Sequence, residues 1–136
     1  AERQLGIAAN LTPSSYWDPP VFFRGKIDCT VIKDDVAYIV DWKSGSGKYE
    51  HPFEIATNAV LLKVHHPHLR VIKGSYAWLK ENRMSEVYDL SDIKATWGRM
   101  REIIADIERD RQLDEWHKKK SGLCGWCNVK DCEHHP

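Results

Sequence analysis

Phe22 to Gly45 reads FFRGKIDCTVIKDDVAYIVDWKSG, and the alternation within it decides the fold. In the first half, Arg24, Lys26, Asp28 and Thr30 alternate with Phe23, Gly25, Ile27, Cys29 and Val31. Side chains of a strand point to opposite faces in turn, so this run predicts one strand with a charged face and an apolar face. In the second half, Ala37, Ile39, Asp41 and Lys43 share one face, and Val36, Tyr38, Val40 and Trp42 share the other. Asp34-Asp35 is the natural turn between them, because Asp tolerates left-handed backbone angles. A two-residue loop pairs Lys33 with Val36. Stepping outward places Asp28 opposite Asp41, with Cβ atoms roughly 4.5–5.5 Å apart. Two ionised carboxylates there repel unless a cation or a proton lies between them. Lys43 follows on the same face. Such a patch suits a hard cation such as Mg²⁺, which takes one or two carboxylates and keeps water and phosphate as its other ligands. Lys43 would then orient or deprotonate an attacking water, or stabilise phosphorane-like charge. The same residues equally describe a solvated sheet face with a salt bridge from Lys43 to either Asp.

The chain has 136 residues, 42% of them apolar, enough for one domain with a core. Lys plus Arg is 20 and Asp plus Glu is 20, so the net charge is zero. That weighs against non-specific nucleic-acid binding but leaves room for a local basic track. Six Trp residues are expected mostly in the core, with base stacking as the other use. No apolar run is long enough to span a bilayer, so no membrane partner is expected. No basic-then-apolar segment opens the chain. It begins AERQLG, without Met and already strand-like, which suggests an N-terminally trimmed fragment.

Residues 2–9 alternate loosely as a first strand, and LTPSSYWDPP at 11–20 is a loop. Residues 51–66 form a helix, with Pro52 suited to its first turn and Pro67 marking its end. Its apolar stripe is Ile55, Ala59 and Leu62 beside Ala56, Val60 and Lys63. Glu54 is either an extra carboxylate or a favourable charge in the first turn. His51, His65, His66 and His68 are expected at the surface. LRVIKGSYAWLK at 69–80 is a strand, Glu81-Asn82 a turn, and 83–90 its hairpin partner. Ser91 caps a helix from about 92 to 118, whose Ile93, Trp97, Met100, Ile104 and Ile107 read as core. The basic run at 117–120 is a solvated helix end or a phosphate contact.

In the tail SGLCGWCNVKDCEHHP, Cys124, Cys127 and Cys132 fall close together, with His134 just after. Cys-x2-Cys is a common metal bite, and three thiolates plus His134 suit a zinc site. Reduced thiols without a metal are the plain alternative. Clustered cysteines without a secretion signal argue for a reducing cytoplasm.

Asp28, followed by Asp41-Trp42-Lys43 and Ser44-Gly45, resembles the PD-(D/E)XK nuclease superfamily. RGKID with IVDWKSG is similar to its RecB-type exonuclease branch, which includes phage recombination exonucleases and CRISPR-associated RecB-like nucleases. The resemblance implies an α/β fold: a restriction-endonuclease-like core over 1–120, with a central mixed β-sheet flanked by helices, then a Cys-rich metal-binding tail at 121–136. It implies a DNA exonuclease using Mg²⁺ or Mn²⁺ held by Asp28, Asp41 and the Trp42 carbonyl, with Lys43 at the water. Arg24 and Lys26, on the Asp28 face, are candidates for phosphate contact. Glu54 and Asn58 stand where the family often carries a glutamine and a tyrosine that approach the DNA. The family usually supplies a further metal ligand from a preceding helix, which no residue here matches. It also offers an iron–sulfur cluster at the tail, completed by a fourth cysteine upstream. Cys29 points to the apolar face and reads as core, so zinc ranks first there, no metal second and iron–sulfur third. DNA is the implied partner, with a protein of a recombination or repair complex as a further one, in the host-cell cytoplasm if phage-encoded. The rival functions are a non-catalytic nucleic-acid-binding or scaffold domain and, last, a restriction-type endonuclease.

Overall fold

The computed structural model describes residues 2–136, except for the side chain of Tyr49. Residues 1–101 and 102–136 form two compact units, with the division inside α2 (Ile93–Leu113).

In the first unit, β1 (Arg3–Ile7) pairs antiparallel with β2 (Pro13–Ser14) and with β3 (Phe23–Ile27). β4 (Cys29–Lys33) and β5 (Val36–Lys43) form the expected hairpin, with Lys33 opposite Val36. Asp34 takes φ 54°, the left-handed angle that a two-residue loop asks of its first residue. α1 (Pro52–His65) then crosses to β6 (Val71–Trp78), which lies parallel to β5 along its whole length. Two short strands, β7 (Arg83–Met84) and β8 (Tyr88–Asp89), pair antiparallel with β6. The result is a mixed α/β unit with a three-stranded antiparallel sheet and a five-stranded mixed sheet.

The single strand expected over 23–31 is therefore two strands in two sheets, divided by a bend at Asp28. The bend has a local cause. The Asp28 carboxylate accepts the Trp42 backbone N–H (2.9 Å), so a side chain takes the donor just past the last ladder pair, Cys29 with Val40. Ile27 is fully buried against Ile55, Ala59 and Leu62 of α1, and Gly25 faces Leu61 closely enough that a Cβ would lie 2.8 Å from it. Arg24 and Lys26, alternating with these two, point away from α1.

α1 is the centre of the packing. One side meets Ala37, Ile39, Ile72 and Tyr76 of the mixed sheet. Val60 and Leu61 meet Ile7 of β1 and Trp97 and Met100 from the start of α2 (Ile93–Leu113). Gly74 permits the close approach to β6, since a Cβ there would lie 2.8 Å from Ile55 Cδ1 and 2.9 Å from Leu90 Cδ1. α1 thus covers one face of the mixed sheet. Val31, Val36 and Trp42 on its other face are exposed.

Three further expectations are corrected. Trp78 and Trp97 are buried, but Trp17, Trp42, Trp116 and Trp126 are exposed, so most tryptophans are not core. Ile107 is exposed, and the buried stripe of α2 ends at Met100. Asp92, not Ser91, caps α2 by accepting the Ala95 N–H (3.1 Å). Ser91 Oγ instead accepts the Ile72 N–H (3.1 Å) and fixes the entry to the helix against β6. No described helix is long and apolar enough to cross a membrane.

Candidate active site

Asp41 and Lys43 lie on the α1 face of β5, at its C-terminal end. Asp41 is 7% exposed, in a row whose other members, Ala37 and Ile39, are apolar and fully buried. Lys43 Nζ stands 2.9 Å from Asp41 Oδ2 and donates to Glu54 Oε1 of α1 at 2.7 Å. Among the described residues, no group other than this ammonium donates to the buried Asp41 Oδ2. Asp28 lies at the junction beside them, its Oδ2 taken by the Trp42 N–H.

The charges shift one another. Burial pushes the Asp41 carboxyl above the usual carboxylate range; Lys43 opposes this, and Asp28 and Glu54 add to it. For Lys43, burial alone would lower the ammonium's pKa, but hydrogen bonds to Glu54 and Asp41 outweigh it and raise the pKa. Lys43 is therefore a firmly held cation near neutral pH, suited to donating and not to accepting a proton. Tyr76 borders the same cluster, and burial pushes its phenol up to about 12, keeping it neutral.

No family model matches this chain, and neither a curated protein nor a solved structure does.

Among the described residues, no three His, Cys, Asp or Glu side chains are grouped as a finished metal site. A Mg²⁺ ion needs only one or two carboxylates, the rest being water and phosphate. Asp28 and Asp41 fit that requirement. Among the described residues the buried Asp41 oxygen has no donor other than Lys43, and burial, which raises the carboxyl's pKa, makes a counter-charge favourable there. Lys43 now provides part of that charge, and Glu54 stands on its far side.

The other expected residues are placed as follows. Arg24 is not beside Asp28: its guanidinium lies 5.3 Å from the Tyr16 ring and 5.4 Å from the Trp17 ring, and it donates to Tyr16 O (3.3 Å). Lys26 pairs with Glu2 at 3.6 Å. The bend at Asp28 breaks the alternation that had put all three on one face. Asn58 is buried one turn after Glu54, beneath Gly25 rather than open to a ligand. The Trp42 ring faces away from the carboxylates, into a groove of about 260 Å³ with Trp78, Arg83 and Met84. Cys29 is half-buried on the outer face of the hairpin rather than core. His51 and His65 are structural: His51 Nδ1 accepts the Phe53 N–H (3.1 Å) as the α1 cap, and His65 Nε2 donates to Gly6 O (2.7 Å).

In the second unit, Cys124, Cys127, Cys132 and His134 line one cavity of about 320 Å³ with Lys118 and Lys119. The Ser121 N–H donates to Cys124 Sγ (3.3 Å), and all three thiols are free. As arranged they do not form the closed tetrahedral shell of a structural zinc site.

The residue that the sequence did not mark is Tyr76. It read as one more aromatic in a strand, and only the parallel pairing of β5 with β6 sets it beside Asp41.

Proposed function

We propose that this chain is a divalent-metal-dependent DNA nuclease of the PD-(D/E)XK, RecB-type kind, acting as an exonuclease in DNA processing or recombination. The observation that carries this is the convergence of Asp28, Asp41 and Lys43 at one strand end, with a buried Asp41 oxygen whose neighbouring donor is the Lys43 ammonium. The order of elements supports it too: an antiparallel hairpin, a helix, then a strand parallel to the one bearing Asp41 and Lys43.

Asp28 and Asp41 would hold Mg²⁺ or Mn²⁺, with the Trp42 carbonyl as a further oxygen donor by resemblance. The bound ion would polarise the scissile phosphate and acidify its water. Lys43, as an ammonium, orients the water and donates to phosphate oxygens where charge builds up. Glu54 steers the ammonium and becomes available as a third carboxylate when Lys43 turns to the phosphate.

End-labelled linear DNA and covalently closed DNA, incubated with Mg²⁺, Mn²⁺ or EDTA, test the proposal beside Lys43→Ala. Metal-dependent loss of linear DNA alone, absent in the variant, is the expected result. Cleavage that persists in purified Lys43→Ala overturns the assignment, and degradation of closed circles makes the enzyme an endonuclease.

A non-catalytic nucleic-acid-binding domain is the second possibility. It is favoured by the two carboxylates that already neutralise Lys43. DNA binding without cleavage, undiminished in Asp41→Asn, would select it.

A further inference from the structure

Tyr76 is 1% exposed and pairs with Asp41 across the parallel ladder. Its ring centroid lies 5.5 Å from Lys43 Nζ, within reach of a cation–π attraction. Its hydroxyl donates to His51 O (2.8 Å) and accepts the Ile55 N–H (3.2 Å). Ile55 directly follows Glu54, whose carboxylate holds the same ammonium at 2.7 Å. One side chain therefore meets Lys43 through its ring and the first turn of the Glu54 helix through its hydroxyl.

We propose that Tyr76 is the positioning residue for the Lys43 ammonium: the ring seats the cation, and the hydroxyl sets the helical turn that aims Glu54 at it. The consequence for cleavage rests on Lys43 acting at a phosphodiester; the seating itself does not. Phe at this position keeps the ring and loses the hydroxyl, and Leu loses both.

The test combines two readouts on Tyr76→Phe and Tyr76→Leu. The first is independent of activity. An aromatic ring beneath the ammonium shifts the Lys43 ε-methylene protons upfield in the NMR spectrum. That shift is expected in the wild type and in Tyr76→Phe, and is expected to vanish in Tyr76→Leu. In Tyr76→Phe, the Ile55 amide is expected to exchange with solvent about tenfold faster, as one lost hydrogen bond would allow. The second readout is the kcat and KM of Mg²⁺-dependent cleavage. Tyr76→Leu is expected to lower kcat by about ten- to a hundredfold with KM little changed, since misplacing a group by about 1 Å can cost that much.

A folded Tyr76→Leu in which the Lys43 shift stays put overturns the seating. A Tyr76→Leu that loses the shift yet keeps full kcat overturns the role of Tyr76 in positioning Lys43 for cleavage. Unchanged Ile55 exchange in Tyr76→Phe overturns the role of the hydroxyl, and this variant carries that test if Tyr76→Leu does not fold. If the wild type cleaves no DNA, the nuclease proposal fails separately, and the Lys43 shift still decides the seating.

Discussion

On the proposed function, Asp41 and Lys43 would act as a unit, so each is expected to be necessary for cleavage. Asp41→Asn keeps shape and removes charge. Metal-dependent cleavage should fall by about 10²–10³ or more in kcat, the cost typical of losing one preorganised charge-stabilising group. Circular dichroism should show the fold intact. Asp35 tests electrostatics away from the site. The Arg70 guanidinium beside it, with Nε 2.5 Å from Oδ2, holds its carboxyl below the ordinary value of 3.8. Such a group stabilises the fold above that ordinary value and loses its contribution as pH falls through its lower folded value. Tm is therefore expected to differ most between wild type and Arg70→Ala above about pH 4, and the two curves should converge below it. High salt should shrink the difference, because the pair is exposed. At this scale the sequence was informative where alternation held. Asp28, Asp41 and Lys43 could be brought together by counting register from Asp34-Asp35. Arg24 and Lys26 were misplaced because a single bend reverses parity, and the donor that causes it, the Trp42 N–H, is a backbone group that no side-chain pattern reveals.

The elements were legible where composition and punctuation agreed. Pro52 and Pro67 bracketed α1, and β5 and β6 came within two residues of their observed bounds. The partner of β6 was harder to read. The expected strand over 83–90 is two short pieces, because Ser85 interrupts it: its N–H bonds Tyr76 O (2.8 Å), and its Oγ accepts the Tyr76 N–H (2.9 Å). How α1 lies on the sheet was not legible, because that depends on glycines at contact points. Gly74 is the sharpest case. Ala at this position would press against Ile55, Leu90 and the Ile39 carbonyl. Gly74→Ala is expected to destabilise by about 1–3 kcal/mol, the usual cost of overpacking a tight core, read from the urea midpoint. Gly98→Ala in α2, where nothing lies within 4 Å of the added Cβ, should be neutral or stabilising by up to about 1 kcal/mol.

For the whole molecule, the division inside α2 has a practical counterpart. Trp97 and Met100, which complete the packing on α1, both precede it. Residues 114–121 form no helix or strand and are exposed, with Lys118, Lys119 and Lys120 among them. Limited trypsin digestion is expected to cut there first and release a fragment that keeps the far-ultraviolet spectrum of the α/β unit. Early cleavage within residues 3–78 would contradict that order of protection. The division between the two units was not legible, because the helical periodicity of α2 continues past Met100 while its burial stops. The bend at Asp28 also bears on how any loss of function at this position is interpreted. One oxygen there both carries charge to the site and joins two sheets. Deleting the carboxylate as Asp28→Ala is then a double lesion, whereas Asp28→Asn is a single one, since the amide oxygen can still accept the Trp42 N–H. A null phenotype from the alanine allele would confound a missing seam with missing chemistry. Only the amide allele, silent in stability and dead in turnover, separates them.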